Sequence, residues 1–168
     1  MTSVDIKEFL RANAEFQSSV NIAYDLGDRA KIRALIATSG VCGYIEALLG
    51  DIVFRSSNRA KIFVGAYGKG KSHIALAALA AMSLKEPELY QNLINAYRQN
   101  GSPFSEVIAN FVTDGPLLLP VVVSGSSSDI ARSFLYALRY ALKDANLEDL
   151  MPKTNYSGAL DVVVRWRE

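Results

Sequence analysis

Three consecutive pieces of residues 61–84 limit what this chain can build. Lys61-Ile62-Phe63-Val64 is a compact β-branched and aromatic run that reads as a buried strand. Residues 65–70 place three glycines in six positions, which marks a turn. Residues 71–84 then form a helix apolar nearly all round, with Ile74, Ala75, Leu76, Ala78, Leu79 and Ala81 spread over its faces. Such a helix has to be buried on most sides. At 168 residues, half of them apolar, the chain is long enough for one domain with a real core, and global disorder is excluded.

The turn spells Gly65-Ala66-Tyr67-Gly68-Lys69-Gly70-Lys71-Ser72, which matches the phosphate-binding pattern G-x-x-x-x-G-K-[ST] in its required setting of strand, loop and helix. Each residue type has a chemical reason. Glycines let the backbone aim successive N–H groups inward and leave no side chain in the way of a phosphate. The helix that starts near Lys71 adds the positive end of its dipole. Lys71, the candidate catalytic residue, would neutralise β/γ-phosphate charge, and the Ser72 hydroxyl would ligate Mg²⁺. Gly65, Gly68, Lys69, Gly70, Lys71, Ser72 and His73 are therefore the candidate nucleotide-binding residues, with ATP and Mg²⁺ as the implied ligands; Lys69 could reach the γ-phosphate and the His73 N–H the α-phosphate. The competing reading is a glycine-rich turn carrying two solvated lysines, but a plain strand-to-helix turn rarely holds three glycines followed by Lys-Ser.

Elsewhere the pattern is mostly helical. Ile6, Phe9 and Leu10 share a helical face, residues 18–24 alternate weakly as a short strand, and Gly27-Asp28 opens a helix with Ile32 and Leu35 inward. Thr38-Ser39 supplies capping hydroxyls to a helix with Val41, Tyr44, Ile45, Leu48 and Leu49 at helical spacing. Two amphipathic helices follow, one through Tyr90, Leu93, Ile94 and Tyr97, the next through Phe104, Val107, Ile108 and Phe111 up to the stop at Gly115-Pro116. Residues 117–123, Leu-Leu-Leu-Pro-Val-Val-Val, read as a second strand despite Pro120, which lacks a ladder donor. Asp129 caps a helix carrying Ile130, Phe134, Leu138, Ala141 and Leu142; residues 152–157 are a loop, and a last helix holds Ala159, Val162, Val163 and Trp166.

This alternation predicts an α/β fold, a P-loop NTPase-like parallel sheet flanked by helices with a helical N-terminal lead-in. Residues 1–58 form the lead-in and residues 59–168 the N-terminal half of a P-loop NTPase domain. The sheet is expected to be incomplete, because no apolar run after residue 72 ends in the acidic residue that normally holds the Mg²⁺ of such sites. Truncation would also leave apolar surface exposed.

The remaining composition narrows the class. Eighteen Lys+Arg against seventeen Asp+Glu leave a net charge of +1, without the overall basicity of a dedicated nucleic-acid binder. One cysteine, Cys42, excludes a disulfide framework and reads as a small buried apolar residue, and one histidine argues against a His-rich metal site or a Ser-His-Asp triad. The longest apolar run, residues 74–82, is far short of a membrane span, and the N-terminus lacks a signal-peptide pattern. A cytoplasmic protein is expected.

The order of pre-loop helix, Lys61-Ile62-Phe63-Val64, the Gly-Ala-Tyr-Gly-Lys-Gly-Lys-Ser-His loop and Leu119-Pro120-Val121-Val122-Val123-Ser124-Gly125 resembles the start of an AAA+-type ATPase domain. It is most similar to the very large ATPases of bacterial phage-defence islands, including the BREX type, over residues 20–168. The resemblance implies nucleotide contacts at Gly65, Gly68, Gly70, Lys71 and Ser72, and backbone near the adenine at residues 36–38. It also implies a homo-oligomer or larger defence complex, with DNA as a partner by resemblance alone. ATP binding as the N-terminal part of a larger AAA+-like ATPase is thus the first expectation. A P-loop small-molecule kinase is the second, although about 60 residues precede the loop and no arginine-bearing lid is evident. A nucleotide-binding interaction module without turnover is the third.

Overall fold

The computed structural model describes residues 19–54, 57, 60–125, 129–152 and 154–166, and over these residues the chain is helical. Eight α-helices follow in order: α1 (Ile22–Asp25), α2 (Arg29–Arg33), α3 (Ser39–Val53), α4 (Lys71–Ser83), α5 (Gln91–Gln99), α6 (Phe104–Asp114), α7 (Ile130–Asp144) and α8 (Asn155–Arg165). Short 3₁₀ turns occupy Pro87–Tyr90 and Glu148–Leu150. The chain divides into two compact units, one ending at Leu118 and the other beginning at Leu119.

In the first unit, capping begins the helices where the polar residues fall. The Asp28 carboxylate accepts the N–H groups of Ala30 and Lys31 at the start of α2, and the Thr38 hydroxyl accepts Val41 N–H at the start of α3. α4 is the centre of the unit. Its Ile74, Leu76, Ala77, Ala78, Ala80 and Ala81 are buried, and it packs against α1, α2, α3 and α6. Its alanines at positions 75, 77, 78, 80 and 81 let neighbouring helices approach it from several directions. Ile45 and Leu49 from α3, Leu93, Ile94 and Tyr97 from α5, and Ile108 and Val112 from α6 complete the core. Each fully buried aliphatic side chain of this kind contributes about 1.5–3 kcal/mol. Cys42 is buried, as its apolar character predicts. The Tyr97 hydroxyl, 55 positions away in sequence, donates to its carbonyl oxygen at 2.6 Å, and burial raises the Tyr97 phenol pKa well above the usual tyrosine value.

Polar contacts hold the periphery. Arg29 makes a two-pronged ion pair with Glu86 (2.5 and 2.7 Å), and Lys31 pairs with Asp25 at 2.7 Å. At the end of α6, the Phe111 carbonyl accepts both the Gly115 N–H (3.1 Å) and the Lys85 ammonium (2.8 Å), which also lies over the Phe111 ring.

The expected parallel α/β sheet is not formed: among the described residues there is no β-strand. Residues 61–64 are laid along α3 through alternate side chains. Lys61 pairs with Asp51, and the Phe63 ring meets Tyr44 at 6.1 Å. Ile62 and Val64, on the other side, are 89% and 90% exposed. A ladder needs a second extended backbone with open N–H and C=O groups. The neighbour here is a helix whose own backbone groups are already bonded internally, so the extended run finds side-chain contacts and no partner strand. Residues 117–123 fare similarly: Leu118 N–H bonds the Met82 carbonyl at the end of α4, but the run pairs into no ladder.

Two local expectations change as well. The weak strand at residues 18–24 is replaced over its described part by α1, which Asn21 caps by accepting Ala23 N–H. The expected loop at residues 152–157 is cut short by α8, which starts at Asn155. The helical face of Ile6, Phe9 and Leu10 lies outside the described residues. In the second unit, Asp129 caps α7 by accepting Arg132 N–H at 3.0 Å, α7 packs on the Glu148–Leu150 turn, and Leu142 is buried. Among the described residues, no helix is long and apolar enough to cross a membrane.

Candidate functional site

The glycine-rich octapeptide forms an exposed loop ending at the first turn of α4. Its course depends on two left-handed residues, Gly68 (φ +77°) and Gly70 (φ +76°), which are glycine because a Cβ is strained there. Gly70 is the N-cap of α4 and brings no side chain to the helix end. The first helical bond is Ile74 N–H to the Gly70 carbonyl at 3.0 Å, so the amides of Lys71, Ser72 and His73 precede the intrahelical ladder. These are the donors that an anion at this position would meet.

Lys71 folds back over the loop. Its ammonium donates to the Gly65 carbonyl at 2.8 Å and to the Ala66 carbonyl at 2.7 Å, tying the start of α4 to the loop entrance. The aliphatic stem runs close to Gly65, where a methyl carbon added to the glycine would stand 3.8 Å from the lysine Cδ. The loop thus keeps a positive charge over its own backbone, one residue from the exposed Ser72.

The other candidates divide. Lys69 is exposed on the loop and has no ion pair among the described residues. His73 points away from the loop: its Nε2–H donates to the Lys31 carbonyl at 2.6 Å and ties the start of α4 to α2. Its backbone N–H remains at the helix end while its side chain is structural. Tyr67 is fully exposed and neither covers the loop nor packs. Of the backbone implied near an adenine, Ile36 is exposed and the Thr38 hydroxyl is used in capping α3.

Sequence reading did not reveal the supports of the site. The Asp51–Lys61 pair and the Tyr44–Phe63 contact hold the segment entering the loop on α3, while His73 holds the segment leaving it on α2. These partners lie between 10 and 42 positions apart, and no local spacing marks them. Among the described residues there is no group of three or more His, Cys, Asp or Glu able to hold a metal. A Mg²⁺ ion arriving with a nucleotide does not need one, because it retains waters and binds phosphate oxygens with one or two protein ligands. Ser72 offers such an oxygen.

Comparison with protein families, with curated proteins and with solved structures returns no match for this chain.

Proposed function

We propose that the loop of residues 65–72 binds the phosphates of a nucleoside triphosphate, ATP in the first instance, with Mg²⁺. The observation that carries the reading is the Lys71 ammonium held over the loop by the Gly65 and Ala66 carbonyls, beside the unladdered amides of residues 71–73. Two left-handed glycines and the G-x-x-x-x-G-K-S order support it.

The chemistry follows from relative bond strengths. Lys71 bonds two neutral carbonyls in the resting loop. A triphosphate offers the ammonium a full opposite charge in addition to acceptor oxygens, so an incoming triphosphate draws the lysine from the neutral carbonyls. The amides at the start of α4 then face the same anion, Ser72 supplies a hydroxyl to Mg²⁺, and Lys69 adds charge at the rim. Mg²⁺ contributes neutralisation of phosphate charge when bound. The corresponding wider reading, a larger AAA+-like ATPase of the phage-defence type, rests on the residue order Gly-Ala-Tyr-Gly-Lys-Gly-Lys-Ser-His alone, because the runs at residues 61–64 and 117–123 form no strand.

The test is a titration of the chain with fluorescent ATP and GTP analogues in Mg²⁺, wild type against Lys71→Ala. Saturable binding that Lys71→Ala abolishes is the expected result. Equal affinity in the two proteins would remove the proposal.

A further inference from the structure

The near-neutral total charge conceals one local concentration. At 100° per residue, Arg132, Tyr136, Arg139, Tyr140 and Lys143 of α7 fall within an arc of about 100° and extend over about 16 Å of helix axis. All five are exposed, with Tyr136 at 53% and Tyr140 at 76%. The Arg132 guanidinium lies 5.5 Å from the centre of the Tyr136 ring and donates to its hydroxyl at 3.4 Å, which fixes the first cation and the first ring together. Within the helix and its cap the carboxylates stand at the two ends, Asp129 engaged in capping at Arg132 N–H and Asp144 as the last residue, and Glu148 and Asp149 follow on the turn packed against α7. Arg139 and Lys143 form no ion pair among the described residues.

We infer that this stripe is a docking surface for single-stranded nucleic acid. Alternating cations and aromatic rings match a polymer that alternates phosphates and flat bases, with the cations on the backbone and the tyrosines under the bases. The placement of the two tyrosines favours a nucleic-acid strand over a lipid surface. In an interfacial helix the aromatic rings belong to the buried face. Here the tyrosines stand among the cations and apart from the apolar face, on which Leu142 is buried, Leu138 and Ala141 are half-buried, and Ile130 and Phe134 are exposed. Phosphate pairing and base stacking do not involve the sugar, so both DNA and RNA strands are expected to bind. This inference is independent of the phosphate loop.

The test is fluorescence anisotropy of labelled dT20 and U20 with the full chain at several salt concentrations. Expected is binding to both within about threefold, with a log–log salt slope near about −2 for three phosphate contacts. The double variant Arg139→Gln/Lys143→Gln flattens that slope and weakens binding at least about tenfold at low salt. Tyr140→Ala weakens binding about fivefold or more with the slope unchanged. Because these side chains are exposed, circular dichroism of each variant should match the wild type. Three results would overturn the inference: no binding of either strand at low salt, binding that all variants leave intact, or binding confined to phosphatidylserine vesicles.

Discussion

The Lys71 ammonium donates to the carbonyl oxygen of Gly65 at 2.8 Å, so the first residue of α4 closes the loop that precedes it. The same ammonium reaches Ala66. Loop shape and loop charge are therefore coupled: whatever draws the lysine away also frees two carbonyls at the loop entrance. The left-handed backbone of Gly70 makes this closure possible by turning the chain directly into the helix.

Replacing Gly70 by alanine tests that turn. A Cβ at Gly70 meets nothing within 4 Å, so the penalty is conformational, about 1–2 kcal/mol for a left-handed residue. Gly70→Ala should lower the urea midpoint accordingly and weaken nucleotide binding. Gly27→Ala, in open space and without positive φ, should leave nucleotide binding unchanged and raise stability by at most about 1 kcal/mol.

Two buried tyrosines should respond in opposite ways to loss of the hydroxyl. The Tyr97 hydroxyl bonds the Cys42 carbonyl, and Tyr97→Phe should destabilise by about 1 kcal/mol or more. The Tyr90 hydroxyl is buried without a hydrogen-bond partner among the described residues. Tyr90→Phe removes that desolvated group and should be neutral or stabilising by up to about 1 kcal/mol. Chemical denaturation of the two variants in parallel gives the comparison.

Gly115 is required by space. A Cβ there would stand 2.4 Å from the Phe111 carbonyl oxygen, which already accepts two hydrogen bonds. Gly115→Ala should shift the end of α6, release the Lys85 contact and cost about 1–3 kcal/mol. A thermal melt that matches wild type would show that the helix end yields freely.

Acid should loosen the α1–α2 corner. The hydrogen bond from Lys31, followed by the Asn21 N–H, holds the Asp25 carboxyl below the ordinary aspartate pKa. A depressed carboxylate stabilises the fold above its unfolded pKa of about 3.9, and that contribution disappears as pH falls through the folded value. Asp25→Asn should therefore be less stable than wild type at pH 7, and the gap should narrow below about pH 4. Urea midpoints measured across that range provide the check; a constant gap would exclude Asp25 as the titrating group.

Much of the local structure was legible from residue order. Asp28, Thr38 and Asp129 mark helix starts because a short polar side chain can satisfy the first amides, and each does so. The alanine-rich run 71–84 had to be buried, and α4 lies at the centre of the first unit. The glycines of the loop marked a backbone free to take conformations closed to other residues, and Gly68 and Gly70 are left-handed. All of these are decided within a few residues, by propensity, periodicity and capping.

Tertiary structure decided the rest. A strand exists only with a partner, and the Lys61-Ile62-Phe63-Val64 run lies against helix α3, through Asp51 and Tyr44, instead of against another extended chain. The same β-branched run that promised a sheet is therefore an exposed extended segment. His73 reads from sequence only through its backbone N–H at the helix start, and its ring is bound by the Lys31 carbonyl, 42 residues away. By itself the sequence determined where α2, α3, α4 and α7 begin, which helix is enclosed and where the glycine-rich turn lies. Which side chains meet across the chain, and whether an extended run finds a ladder, depended on distant partners whose identity no local pattern encodes.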